Sequence, residues 1–180
     1  LLIGAKIIYE TEGLGDNFRE VIERAIKAAE DNDNPYYKAV ALTNTAGVVG
    51  KTEGRGDKFT GLMDRAIEAA EDNDNPYCKA SALTTIASVV GETEGRGDKF
   101  TGLMDRAIKA AEDIDRHPYD KAVALTAIAS VVGKTEGRGD KFTEVIERAI
   151  KAAEDIDRHP HNKASALTTI ASVVGETEGR

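Results

Sequence analysis

The residues of this chain that could do chemistry each come with a spacing that can be tested. Gly50-Lys51-Thr52 and Gly133-Lys134-Thr135 have the ending of a phosphate-binding loop. The full loop, GxxxxGK[ST], would need glycine at positions 45 and 128, which hold Thr45 and Ile128. Both tripeptides also close a helical pattern, where free carbonyls repel anions, instead of opening one. They read as helix termini. Arg55-Gly56-Asp57, Arg96-Gly97-Asp98 and Arg138-Gly139-Asp140 form a tripeptide used in cell adhesion. Each residue has a local role that explains it separately: Gly turns the chain, Asp caps the next helix and Arg is solvated.

Metal and nucleophile patterns fare no better. Asp31, Asp33, Asp72 and Asp74 could attract a hard cation, but lack the roughly twelve-residue spacing and final bidentate Glu of a calcium loop. His117, His159 and His161 supply one His-x-His pair with no Cys or carboxylate at metal-site spacing. Cys78 is the single cysteine, so it makes no internal disulfide, and the equivalent position one unit earlier is Tyr37. No metal and no cofactor is expected. Repetition argues against catalysis as well, because an active site needs one asymmetric constellation and almost every polar position here recurs. The expectation is that the chain is not an enzyme.

That repetition is the dominant feature. Thr52–Ile67 and Thr93–Ile108 are identical, as are Lys79–Arg96 and Lys163–Arg180. Gly-Asp pairs at Gly15, Gly56, Gly97 and Gly139 set steps of 41, 41 and 42 residues, and Pro35, Pro76, Pro118 and Pro160 keep nearly the same step. A regular period of this size marks a solenoid, whose units bury their apolar faces against one another. The Gly-Asp phase gives a partial repeat over 1–14 and repeats over 15–55, 56–96, 97–138 and 139–180, in one continuous domain. The one-residue insertion, AEDNDNP becoming AEDIDRHP, falls in a loop and leaves the packing register alone.

Each unit contains two helical patterns. Helix B, as in Lys58–Asp72, places Phe59, Leu62, Met63, Ala66, Ile67 and Ala70 on one face, with Asp57 as its cap. Helix A runs from Pro76 to about Val90, with Ala80, Leu83, Ile86, Ala87 and Val90 on one face. Asn75 suits its cap and Pro76 its first position, and glycines near Gly91 and Gly95 would end it. Leu83, Leu125, Ile67 and Ile108 are predicted to be buried. Strand alternation is absent. The expected fold is all-α, a right-handed α-solenoid of antiparallel helix pairs with about nine helices, Leu1–Tyr9 being the tail of a partial helix A.

Composition narrows the partners. Lys and Arg number 24 against 32 Asp and Glu, a formal charge of −8, so the chain has no global attraction to phosphate backbones and nucleic acid is not expected. No apolar run approaches the ~18 residues that span a bilayer, so neither is a membrane. Trp and Gln are absent and charged residues make up 31%, a balance shared with heat-adapted, thermostable proteins. The location stays open: the cytoplasm is favoured, and an N-terminus that reads as incomplete leaves room for a missing signal.

The pattern A-L-x-x-I-A-x-x-V in helix A, then Gly-Asp before an aromatic, an Ala-rich helix B and Pro, resembles the tetratricopeptide-like α-solenoids. In and around the second unit its residues are Ala82, Leu83, Ile86, Ala87, Val90, Gly56, Asp57, Phe59, Ala66, Ala70 and Pro76. The period of 41–42 exceeds the roughly 34 residues usual in that family. The resemblance implies a scaffold that binds a protein or peptide through a concave groove lined by helix A. By position, the implied groove residues are Val40, Thr43, Gly47 and Lys51; Ser81, Thr84, Ser88 and Glu92; Val123, Thr126, Ser130 and Lys134; and Ser165, Thr168, Ser172 and Glu176. Its edge alternates in sign through Lys51, Glu92, Lys134 and Glu176.

A structural, self-associating element is the competing expectation. The chain starts within a helix A and stops on a unit boundary, with no polar capping helix at either end. Its two ends should then be complementary, and copies should stack end to end into a filament or layered assembly.

Overall fold

The computed structural model describes residues 17–52, 56–94, 97–137 and 139–178. Eight helices account for nearly all of them: α1 (17–30), α2 (Pro35–Thr52), α3 (Asp57–Glu71), α4 (Pro76–Glu94), α5 (Asp98–Glu112), α6 (Pro118–Glu136), α7 (Asp140–Glu154) and α8 (Pro160–Glu178). Among the described residues there is no strand. The fold is an all-α helical repeat. The ninth helix expected at Leu1–Tyr9 lies outside the described residues.

Helix starts obey local chemistry. Asn34 Oδ1 accepts the Tyr36 and Tyr37 amides at 3.0 and 3.3 Å, and Asn75 Oδ1 accepts the Cys78 amide at 3.1 Å. These side chains satisfy donors that the first turn leaves free. The B helices start differently from the expectation. Their N-caps are Gly56, Gly97 and Gly139, and Asp57, Asp98 and Asp140 are the first helical residues, without a side-chain cap bond. Those carboxylates act on the positive end of the helix dipole instead.

The A helices also run further than their sequence pattern suggests. Helix α4 passes through Gly91 to Glu94, so that glycine is internal. Its function is close approach. A Cβ on Gly50 would lie 2.9 Å from the Phe59 ring, one on Gly91 3.1 Å from Phe100, and one on Gly133 2.9 Å from Phe142. Helices α2, α4 and α6 thus each offer a bare stretch of backbone on which the next B helix seats its phenylalanine, and the residue that reads as a helix stop is a packing site.

Two layers follow from these contacts. Each of α2, α4 and α6 packs most extensively on the B helix that follows it, and A helices also lie side by side, α2 on α4, α4 on α6 and α6 on α8. Helices α2, α4 and α6 therefore carry buried residues around much of their circumference, whereas the B helices keep one charged face in water. The core holds Leu42, Leu83 and Leu125 from the A layer, and Phe59, Met63, Phe100 and Met104 from the B layer. Ile67 and Ile108 are only half-buried at its margin.

Neighbouring B helices are joined by long side chains. Lys58 reaches back to Glu23 at 2.7 Å, Lys99 to Asp64 at 3.4 Å and Lys141 to Asp105 at 2.6 Å. Arg65 pairs with Glu30, Arg106 with Glu71 at 2.6 Å, and Arg148 with Glu112. The A layer is held by direct helix contact and the B layer by charged arms, so the stack is tighter on the A side.

Candidate functional site

The A helices place the expected groove residues in three different environments. Thr43, Thr84 and Thr126 are buried and offer nothing to a partner. Their hydroxyls donate to the carbonyls of Ala39, Ala80 and Ala122 at 2.7, 2.7 and 2.6 Å, which satisfies them inside the layer. The reason is the side-by-side packing of A helices, which covers a stripe that a helical wheel assigns to the groove. Val40, Gly47, Ser81, Ser88, Val123 and Ser130 are half-buried, and Lys51, Glu92 and Lys134 are exposed. On α8, Ser165, Thr168, Ser172 and Glu176 are all exposed, and Ser172 Oγ donates to Glu176 Oε1 at 3.5 Å. The alternation of sign has a local use, since Lys51 Nζ lies 3.6 Å from Glu92. The exposed and half-buried face of the A helices is thus lined by small side chains, with Lys51, Glu92 and Lys134 toward the helix ends.

A second set of residues comes together at the opposite edge. Each A helix begins Pro-aromatic or Pro-His, which lines up Tyr36, Tyr77, Tyr119 and His161 along the array. Tyr37 stands beside them, 59% exposed, its ring edge-on to Tyr36 with centroids 5.3 Å apart and planes at 66°. Tyr77 sits in the middle of the row. Partial burial, then the Asp120 carboxylate and the neighbouring phenols, raises its pKa above the usual 10.0. Two clefts open between the rim loops. One of about 560 Å³ is bordered by Asn34, Tyr36, Tyr37, Asp74, Tyr77 and Cys78. The other, about 510 Å³, is bordered by Arg116, His117, Tyr119, Asp120, Arg158 and His159.

The sequence carries a signal for this rim. A tyrosine follows proline at 36, 77 and 119, with the same step as the repeat, but proline's value as a helix start masks the aromatic beside it. These tyrosines recur in register with the repeat, and Tyr36 and Tyr119 pack partly against the core while Tyr77 is more open.

The remaining candidates are dispersed. Gly50-Lys51-Thr52 closes α2, and Gly133-Lys134-Thr135 lies in the last turn of α6. Arg55, Arg96 and Arg138 of the adhesion-like tripeptides lie outside the described residues. Asp31, Asp33, Asp72 and Asp74 are exposed in loops or at helix ends, and Cys78 is half-buried. Among the described residues, no group of three or more His, Cys, Asp or Glu is placed to hold a metal ion.

No family profile matches this chain, and no curated protein does. Among solved structures, Ton1535 from Thermococcus onnurineus NA1 superposes with a TM-score of 0.73 at 20% identity. The match covers 88% of this chain but 44% of that one, so the chain spans less than half the length of the structure it resembles. At that identity the likeness is one of fold, which in the present chain is an all-α helical repeat.

Proposed function

We propose that this chain is a non-enzymatic scaffold of the tetratricopeptide-like kind, which binds a protein or peptide along its A layer. The tyrosine rim is the observation that supports this most directly. The small floor of Ser81, Ser88 and Ser130 offers clearance but little contact area, and the rim supplies what the floor lacks. Tyrosine brings a large, stiff, amphipathic surface at low entropic cost, which is why it dominates many binding surfaces. An extended segment lying over the floor would pack on Tyr36, Tyr77 and Tyr119 and find hydrogen-bonding hydroxyls there.

Phage-displayed peptides selected on the folded chain test the reading. Tyr36→Ala and Tyr77→Ala together should weaken selected peptides about tenfold or more, as truncation of aromatic anchors does. Ser88→Arg should do the same by filling the floor. Peptides that survive these changes and are lost instead on Glu68→Arg, on the outer B face, would overturn it.

A second reading, end-to-end self-association as a structural element, is favoured by one observation. On α8 the face equivalent to the buried stripe of α6 is open, with Leu167 37% exposed where Leu125 is 1% exposed.

A further inference from the structure

A surface built from near-identical units has a register problem. Thr52–Ile67 recurs as Thr93–Ile108 and Lys79–Arg96 as Lys163–Arg180, so a segment lying along the A helices meets nearly the same side chains after each step of 41–42 residues. On that surface a bound chain would shift by one unit at little cost, and whatever holds it in place must differ from unit to unit. The rim loops do differ. The first two read Asp-Asn-Asp-Asn-Pro, at 31–35 and 72–76, and the last two read Asp-Ile-Asp-Arg-His-Pro, at 113–118 and 155–160.

The clefts between these loops differ accordingly. The first, about 560 Å³, is bordered by Tyr36 and Tyr37 of α2 and Tyr77 of α4, with Asp72 and Asp74 on the turn that enters α4. Both of its walls belong to described residues at an interior junction of the array, and no Lys, Arg or His among them borders it. Asp72 and Asp74 are exposed and make no ion pair among the described residues. The nearby Lys79 lies 3.7 Å from Glu71 instead. The asparagine oxygens of the cleft are already occupied: Asn73 Oδ1 accepts the Asn75 amide at 3.0 Å, and the Oδ1 atoms of Asn75 and Asn34 accept the helix-start amides. What remains for a ligand is a pair of unneutralised carboxylates beside three aromatic rings. A cation uses both, because it is drawn to a ring face and to a carboxylate alike. A guanidinium uses them best, since it is planar, stacks on a ring and can donate two parallel hydrogen bonds.

The second cleft, about 510 Å³, does not repeat this chemistry. Asp120, Asp155 and Asp157 are joined there by Arg116 and Arg158, with Tyr119 as its one tyrosine. A cationic side chain would meet two fixed positive charges.

We propose that the first cleft takes an arginine side chain of the bound segment, and that this contact sets the register of the segment on the repeat. The proposal rests on the scaffold reading and names the chemistry of its partner: an extended peptide segment whose basic residue sits among Tyr36, Tyr37 and Tyr77 and against Asp72 and Asp74.

Peptides selected by phage display on the folded chain supply the probes. The expected binders share one Arg or Lys, and a synthetic peptide with Gln in its place should bind about tenfold or more weakly, as loss of an anchor does. Asp72→Asn with Asp74→Asn should weaken the original peptide similarly. The two losses should not add when combined, because they remove one contact from its two sides. Asp155→Asn with Asp157→Asn, in the second cleft, should leave binding in place. The peptide exchange leaves the protein untouched, so it reads the contact even if a loop variant is unstable. Cys78 borders the first cleft and is the single cysteine, so it reports register. A peptide carrying a thiopyridyl-activated cysteine beside its Arg should form a mixed disulfide with Cys78, and one carrying it about six residues, roughly 20 Å, away should not. Binders without a shared basic residue, or binders indifferent to its exchange for Gln, overturn the arginine seat and leave the scaffold reading standing. Cross-linking that ignores where the cysteine sits overturns the assigned register. A folded chain that captures no peptide overturns both the scaffold reading and this contact.

Discussion

Helices α4 and α8 share an identical sequence from their fourth residue on, Lys79–Arg96 repeating as Lys163–Arg180, yet they occupy different environments. Leu83 is fully buried and Leu167 is 37% exposed. Thr84 is buried and Thr168 is exposed; Gly91 is crowded by Thr135 and Phe100, and Gly175 is open. Composition, propensity and periodicity are equal for the two, so the difference comes entirely from the neighbour each one has. In a solenoid, burial belongs to the junction between units and not to the unit. The pair is therefore an internal control in which one substitution can be made twice.

The largest contrast should come from the leucines. Leu83→Ala removes a side chain from a closed core and should cost ~2–5 kcal/mol, read from denaturant unfolding. Leu167→Ala should cost about 1 kcal/mol or less at concentrations where the chain is monomeric, because that residue is already partly hydrated. Equal costs would break the comparison, since they would mean that α8 is covered in solution. The glycines come next, and there the sign itself should change. Gly91→Ala puts a Cβ 2.9 Å from Thr135 Oγ1 and should destabilise by about 1–3 kcal/mol. Gly175→Ala has free space and should stabilise the monomer by about 0.5–1 kcal/mol through helix propensity.

The charged ladder gives a smaller effect. Arg106→Ala breaks the pair with Glu71 and should cost no more than about 1 kcal/mol, shrinking as salt is added. Arg24→Ala breaks no such pair and should leave stability in place, with the two compared by thermal melts at low ionic strength. The smallest effect concerns the rim, where α4 carries Tyr77 and α8 carries His161. Tyr77's pKa is raised in the folded chain, so the unfolded chain loses its proton first. Its contribution is complete below about 10.0 and is lost as pH climbs through the folded value. Tyr77→Phe should flatten the alkaline fall in stability above that point, and an unchanged profile would show that this phenol does not contribute.

Much of the fold was legible in the sequence, because a 41–42-residue step and a helical stripe are properties of residue type and spacing. Phe59, Leu62, Met63, Ala66 and Ala70 are all buried on one face of α3, as the periodicity requires. What periodicity does not contain is the identity of the covering neighbour. Thr84 lies on the flank of helix A that touches the next A helix, and only the packed array distinguishes that flank from an open groove. Gly91 illustrates the same limit, since a glycine needed for close approach and one needed to end a helix are the same letter. The tyrosine row was present in the repeat but obscured by Pro76 and its equivalents, whose helix-starting role explained the local sequence without it.

The two layers of the stack also differ as materials. The A layer is joined directly and at short range, with the Thr93 methyl of α4 3.7 Å from the Cβ position of Gly50 on α2. The B layer is joined through flexible charged arms such as Lys99–Asp64 and Lys141–Asp105, which can lengthen or detach without opening a core. Salt screens the arms over a Debye length of about 8 Å at physiological ionic strength. Salt therefore acts first on the links between neighbouring B helices and leaves the direct contacts between A helices in place.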